Sequence, residues 1–121
     1  MPVRCLLIDD SEDFLASAQR LLAAQGVTVV ASASSSAEAL RLVDELHPDI
    51  ALVDVELGDE DGIALAASLA EHAPGTRVVL ISSHDVGELG ELLAESPAAG
   101  FIPKTELGAA ALRRFMPSKP D

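Results

Sequence analysis

The segment Ile50-Ala51-Leu52-Val53-Asp54 runs four apolar, strand-forming residues straight into a carboxylate. An aspartate ending such a strand is costly to place unless it is exposed at a rim or paired, so its position argues for a use. Three other pieces have the same form: Asp9-Asp10 after Val3 to Ile8, Ser82 after Val78 to Ile81, and Lys104 after Gly100 to Pro103. In an open parallel sheet the carboxyl ends of the strands share one rim, where ligands bind. Three acids, a hydroxyl and an amine would meet there. Carboxylates packed together repel one another and favour protonation unless a cation offsets their charge, so the group asks for a divalent metal.

Between these pieces the apolar runs alternate with segments of helical period, the signature of βα units on a parallel sheet. Ser11 is suited to cap a helix over Glu12 to Gln25, with Phe14, Leu15, Ala18, Leu21 and Leu22 at helical spacing and Gly26 as its stop. Val27 to Ala31 reads as a short second strand. Ser35 with Glu38 forms a capping-box pattern for a helix ending near Leu46, which His47-Pro48 breaks. Gly58 to Gly62 reads as a polar, acidic loop, and Ile63, Ala66, Ala67 and Leu69-Ala70 predict a third helix that stops at Pro74-Gly75. A fourth, about Val86 to Ala94, carries Gly87 and Gly90, each costing about 1 kcal/mol relative to Ala, which makes it the helix readiest to shift. The fifth is predicted over about Glu106 to Phe115, and Pro117 to Pro120 reads as a tail or the start of a linker.

Composition narrows the function. The 121 residues suit one domain, read here as 1–116 followed by a tail at 117–121. With no Trp or Tyr and three Phe, its core must be aliphatic. Twenty acids against eight Lys and Arg give a formal charge of −12, which disfavours direct nucleic-acid contact by this segment. Cys5 is the single cysteine and reads as a buried small hydrophobe. No apolar run approaches the roughly 20 residues of a membrane span and none resembles a signal peptide, so a cytoplasmic location is expected.

The wording LLIDDSEDF at 6–14, PDIALVDVELGDEDG at 48–62, VVLISS at 78–83 and AGFIPKTEL at 99–107 resembles, in that order, the receiver domain of two-component response regulators. The match runs from Val3 to about Met116 and is closest to receivers of LuxR-like or NarL-like regulators, which precede a helix-turn-helix output domain. The resemblance implies a flavodoxin-like α/β fold: five parallel strands in the order 2-1-3-4-5, doubly wound with helices on both faces. It implies that Asp54 accepts a phosphoryl group as an acyl phosphate, a form of covalent catalysis open to Asp. Asp10 and Asp54 would be direct ligands of Mg²⁺, with Mn²⁺ as an alternative; the backbone carbonyl of Glu56 would be a third, and Asp9 would act mainly through water. Ser82, favoured over Ser83 by the family register, and Lys104 would donate to the phosphoryl oxygens, where charge stabilisation is most of the chemistry. Phe101 stands where the family has a switching aromatic, which turns inward as the phosphate draws in Ser82 and shifts the fourth helix. Glu56 and His84 would flank the phosphoryl group and influence its lifetime.

The implied partners are a sensor histidine kinase, which donates from a phosphohistidine, and an output domain or separate target protein, with a homodimer as one outcome of phosphorylation. The implied activity is phosphoryl uptake and slow autodephosphorylation, not turnover of a substrate. About 17 residues after Lys104 hold no more than the last receiver helix, so the output is expected outside this chain.

Plainer readings stand beside these. Asp10 could cap the first helix, Lys104 could be a solvated charge, and Phe101 could be core; His47 and His72 read as ordinary surface histidines. Thr105 replaces the family's usual Pro after the site lysine, so a trans bond or a strained exception is expected there. Gly58 replaces a frequent Pro in the loop after Asp54. Two rival classes remain: a haloacid-dehalogenase-type phosphatase, which has its nucleophile on the first strand and a cap insertion, and a pseudo-receiver that binds partners without phosphorylation.

Overall fold

Near-continuous apolar runs, as opposed to alternating ones, mark strands buried on both faces, and the runs read as strands in the sequence lie in one five-stranded parallel sheet. The computed structural model describes residues 3–83, 96 and 98–116. Its strands are β1 (Arg4–Ile8), β2 (Thr28–Ala33), β3 (Ile50–Asp54), β6 (Arg77–Ser82) and β7 (Gly100–Pro103), in the order β2-β1-β3-β6-β7. Counted over the main strands, this is the expected 2-1-3-4-5. Between β3 and β6 a short antiparallel ribbon, β4 (Glu56–Leu57) and β5 (Glu60–Asp61), stands apart as a second sheet.

Side chains alternate across the sheet and sort into two cores. Cys5, Leu7, Leu52 and Ile81 face Ala18 and Leu22 of α1 (Glu12–Ala24) and Leu112 of the last helix, α4 (Ala109–Arg113). Leu6, Ile8, Val53 and Leu80 face Val43 of α2 (Ser36–Leu46) and Leu65 and Leu69 of α3 (Gly62–His72). The helices therefore cover both faces, and every residue of β3 is buried. Cys5 is fully buried, which pushes its thiol up to about 12 and leaves it inert.

The helix starts follow their caps. Ser11 Oγ accepts the Phe14 N–H at 3.2 Å, and Ser35 Oγ accepts that of Glu38 at 3.2 Å. The return bond of the capping box comes from one residue earlier than the pattern implies, Ser34 N–H to Glu38 Oε1 at 2.9 Å. The α2 helix ends on His47 in the left-handed region, φ 46°, while His72 of α3 pairs with Asp44 of α2 at 2.7 Å.

Three expectations need correction. The loop expected at Gly58 to Gly62 is the β4–β5 hairpin: Leu57 pairs with Glu60 across a two-residue turn whose first position, Gly58, has φ +59°. That is the geometry a II′ turn demands, and Pro could not adopt it. The second strand starts one residue later and ends two residues later than expected, at Thr28–Ala33, with a register slip between Cys5 and Leu6 of its partner β1. The fifth helix is split into a 3₁₀ turn at Lys104–Glu106 and the shorter α4, because Gly108 interrupts it and Gln25 Oε1 caps the restart at Ala109 N–H, 2.6 Å away. The expected fourth helix and the tail lie outside the described residues.

Gly100 opens β7 with its missing side chain filled by another residue: a Cβ there would stand 2.0 Å from the Phe115 ring. Gly100→Ala should therefore cost about 1–3 kcal/mol in urea unfolding, the usual cost of overpacking. Paired with Phe115→Leu, the loss should be smaller than the sum of the two single losses, since the variants share one contact.

Candidate functional site

Parallel pairing sets the rim. Ile8 lies beside Val53, Asp54 beside Ile81 and Ser82 beside Pro103, so Asp9, Asp54, Ser82 and Lys104 all leave the sheet at one end. Asp9 is fully buried, Asp54 and Ser82 are buried, and Asp10 is exposed. Ser83 is exposed, so of the two serines Ser82 is the one inside.

The three aspartates come together, with one carboxylate oxygen from each within 4.8 Å of the others. Lys104 reaches across from β7: its Nζ lies 2.7 Å from Asp9 Oδ2 and 3.2 Å from Asp54 Oδ2. Asp54 Oδ1 accepts the Glu56 N–H at 3.0 Å, and Asp9 Oδ1 accepts the Ser11 N–H at 2.8 Å. Asp9 Oδ2 is buried with no well-angled hydrogen bond of its own; its contact is the ion pair with Lys104. A buried carboxylate oxygen with spare acceptor capacity, next to two more carboxylates, fits a hard cation that prefers oxygen ligands.

Electrostatics at Asp54 oppose its ionisation. Burial raises its pKa above the ordinary 3.8, and the nearby Asp9 charge adds to this; the Glu56 N–H and the Lys104 ammonium pull the other way without cancelling it. Burial lowers the Lys104 pKa, but its contacts with Asp9 and Asp54 outweigh burial and leave it raised.

The loop after Asp54 is seated on glycine. A Cβ on Gly62 would stand 1.7 Å from the Asp54 carbonyl oxygen, so only glycine lets α3 begin this close. The Gly58 turn lies against Asp10, and Glu60 Oε1 accepts the Ser36 N–H at 3.0 Å, tying the hairpin to the start of α2. These three residues were not singled out from the sequence as site residues; a glycine eight positions past Asp54 and a Gly-Asp turn were the available signals.

Of the expected site, Asp9, Asp10 and Asp54 cluster together, Lys104 pairs with Asp9 and Asp54, and Ser82 sits on the neighbouring strand end. The Glu56 side chain is exposed, and its backbone N–H serves Asp54. Phe101 is half-buried and packs on the α2–α3 face. His84 lies outside the described residues. Lys104–Thr105 is trans. One contact was not foreseen: the Phe14 ring of α1, expected only as one of the apolar positions at helical spacing, has its centroid 4.3 Å from Lys104 Nζ.

Residues 5–114 match the model of the response regulator receiver domain. The chain belongs to that family. It is 36% identical over 115 residues to the probable transcriptional regulatory protein NarL of Mycobacterium tuberculosis, covering 91% of this chain and 53% of that protein. It is 35% identical over 102 residues to a protein-glutamate methylesterase/protein-glutamine glutaminase of Myxococcus xanthus, 84% of this chain and 29% of that one. The solved receiver domain of the M. tuberculosis NarL superposes with a TM-score of 0.82 at 34% identity, over 94% of this chain and 96% of that chain. The receiver thus spans about half the length, or less, of these curated relatives. Receivers are phospho-accepting modules of two-component systems, and this one is of the NarL/LuxR type. Among the described residues no helix is long and apolar enough to cross a membrane.

The raised Asp54 pKa makes a prediction with a definite sign. A carboxyl whose folded pKa is raised favours folding while protonated, and that contribution is lost as pH rises through the folded value. Asp54→Asn should therefore raise the melting temperature in metal-free buffer at neutral pH, by roughly 2–6 °C. The difference should shrink as pH falls and vanish below about 3.8, where both states of Asp54 are protonated. Melting curves across pH check it.

Proposed function

We propose that this receiver takes a phosphoryl group from a phosphohistidine of a sensor kinase onto Asp54, and that Asp9, Asp10, Ser82 and Lys104 do the rest of the chemistry. The observation that carries the proposal is the Lys104 ammonium held between Asp9 and Asp54, with Asp10 in the same carboxylate cluster. An Asp54 oxygen attacks phosphorus, the new O–P bond forms as the P–N bond breaks, and the N–P electron pair leaves with the imidazole. Poor solvation of the Asp54 charge favours that attack. Lys104 is then positioned to leave Asp54 Oδ2 for a phosphoryl oxygen, and the Ser82 hydroxyl to donate to another, where negative charge is spread.

The carboxylates of Asp9, Asp10 and Asp54, with the Glu56 carbonyl, would hold Mg²⁺, Asp9 mainly through water. Bound there, the ion would offset the carboxylate charge and draw charge from the phosphoryl oxygens. Uptake and slow loss of the phosphoryl group are the only chemistry proposed for the chain itself. We read the exchange as cytoplasmic, as for response regulators in general. Phe101 and Ser82 would relay occupancy of Asp54 to the surface beside β7, which would in turn govern an output domain or target, by resemblance one that regulates transcription.

Incubation with acetyl phosphate and Mg²⁺ should add one acid-labile phosphoryl group to the intact protein. Asp54→Asn should abolish the addition, Lys104→Ala should slow it, and Phe101→Ala should leave it near the wild-type rate. Labelling that persists in Asp54→Asn would move the acceptor elsewhere, and no labelling of the wild type would leave an interaction module.

Millimolar Mg²⁺ should raise the melting temperature at constant ionic strength by binding the folded state alone. The gain should disappear in Asp10→Asn, whose side chain is exposed and otherwise dispensable to the core. A melting temperature indifferent to Mg²⁺ would count against a formed metal site.

A further inference from the structure

Lysine is a poorly fixed donor, a compact charge on a flexible four-carbon stem. At this rim it must stay near Asp54 yet be free to turn from a carboxylate oxygen to an incoming phosphoryl oxygen. Its two carboxylate contacts cannot supply both properties, since one of them is the group being modified. The third neighbour is the Phe14 ring, whose centroid is 4.3 Å from Nζ. The negative face of an aromatic ring attracts a cation over a broad range of directions, so it restrains the ammonium without fixing its donor axes.

The ring is itself held in place. Asp9 Oδ1 accepts the Ser11 N–H at 2.8 Å, Ser11 Oγ accepts the Phe14 N–H at 3.2 Å, the ring meets Lys104, and Lys104 Nζ returns to Asp9 Oδ2 at 2.7 Å. The circuit closes through β1, the first turn of α1 and the end of β7. Phe14 is half-buried against the α1-side core, so its backbone and ring base are anchored while its face meets the site.

We propose that Phe14 is a positioning residue for phosphoryl transfer: its ring keeps the Lys104 ammonium at the Asp54 carboxylate while leaving it free to turn toward the phosphoryl oxygens. The inference rests on the proposed role of Asp54 as acceptor. Leucine at position 14 keeps an apolar side chain and removes the π face; tyrosine keeps the face.

The test is the rate of labelling by acetyl phosphate at saturating Mg²⁺, in wild type, Phe14→Leu and Phe14→Tyr, each with Lys104 or with Lys104→Ala. Phe14→Leu should slow labelling about three- to tenfold, equivalent to about 0.7–1.4 kcal/mol at 1.36 kcal/mol per factor of ten. Phe14→Tyr should stay within about twofold of wild type, and the Leu effect should vanish in the Lys104→Ala background, the signature of coupling between the two side chains. The Mg²⁺ affinity, read from the melting temperature, should be the same for Leu and Phe at position 14. A second readout needs no phosphate: the ring-current displacement of the Lys104 ε-methylene protons in the NMR spectrum should be present in wild type and Phe14→Tyr and lost in Phe14→Leu. Equal slowing in both Lys104 backgrounds, no slowing at all, or absence of the ring-current displacement in wild type would overturn the role. If wild type labels normally, such a result leaves the acceptor assignment standing; if wild type fails to label, the proposed function falls and this role with it.

Discussion

Two buried carboxylates share one end of this sheet because a single ammonium lies between them. Carboxylate oxygens within 4.8 Å of one another repel by roughly 3 kcal/mol or more at an effective dielectric near 20, while attractions at the 2.7 and 3.2 Å separations of Lys104 are about 5–6 kcal/mol each on the same scale. Desolvation takes back several kcal/mol per ion, so the cluster is near balance and contributes little to folding. What it does fix is geometry. Lys104 ties the end of β7 to the ends of β1 and β3, across the full width of β6, and no hydrophobic contact could align those four strand ends by charge.

The loop that follows Asp54 is braced from the other side. Gly62 lets α3 begin against the Asp54 carbonyl, the Gly58 turn abuts Asp10, and Glu60 bonds the first turn of α2. Burial deprives Asp54 of water while the braces deny it room to move out, so the acceptor faces the rim with one oxygen on a backbone N–H and the other on Lys104. The same contacts that hold the site also explain why this stretch is rich in acids and glycine and poor in core residues.

Much of this was legible along the chain, and the failures have local causes. Unbroken apolar runs ended by Asp9, Asp54, Ser82 and Lys104 announce parallel strands and their common rim, because strand ends in such a sheet have only one side on which to meet. The β4–β5 ribbon was missed because two-residue strands carry no period; only the Gly58-Asp59 turn could have signalled it. The last helix was drawn too long because the alanines around Gly108 favour helix, whereas the break is stabilised by Gln25, at the other end of the sequence. The helical spacing of Phe14 with Ala18 and Leu22 places it on the apolar face of α1, where it is half-buried against the core. Its second contact, with a lysine ninety residues away, depends on how α1 docks against β7 and leaves no trace in local pattern.

Energetics give an argument for function that pattern alone does not. A folded protein is only marginally stable, and side chains that lower its stability persist where they are used. Asp54 ends a strand whose five residues are all buried, and its pKa is raised, which means the fold holds the neutral acid better than the carboxylate. Packing would be served as well by an aliphatic residue and the hydrogen bond from Glu56 by asparagine. Neither substitute supplies an oxygen nucleophile with a negative charge that water cannot quench. The carboxylate is therefore kept against the interest of the fold, and the ammonium beside it, from a residue in one of only two lysine positions in the chain, keeps that cost within what a single small domain bears.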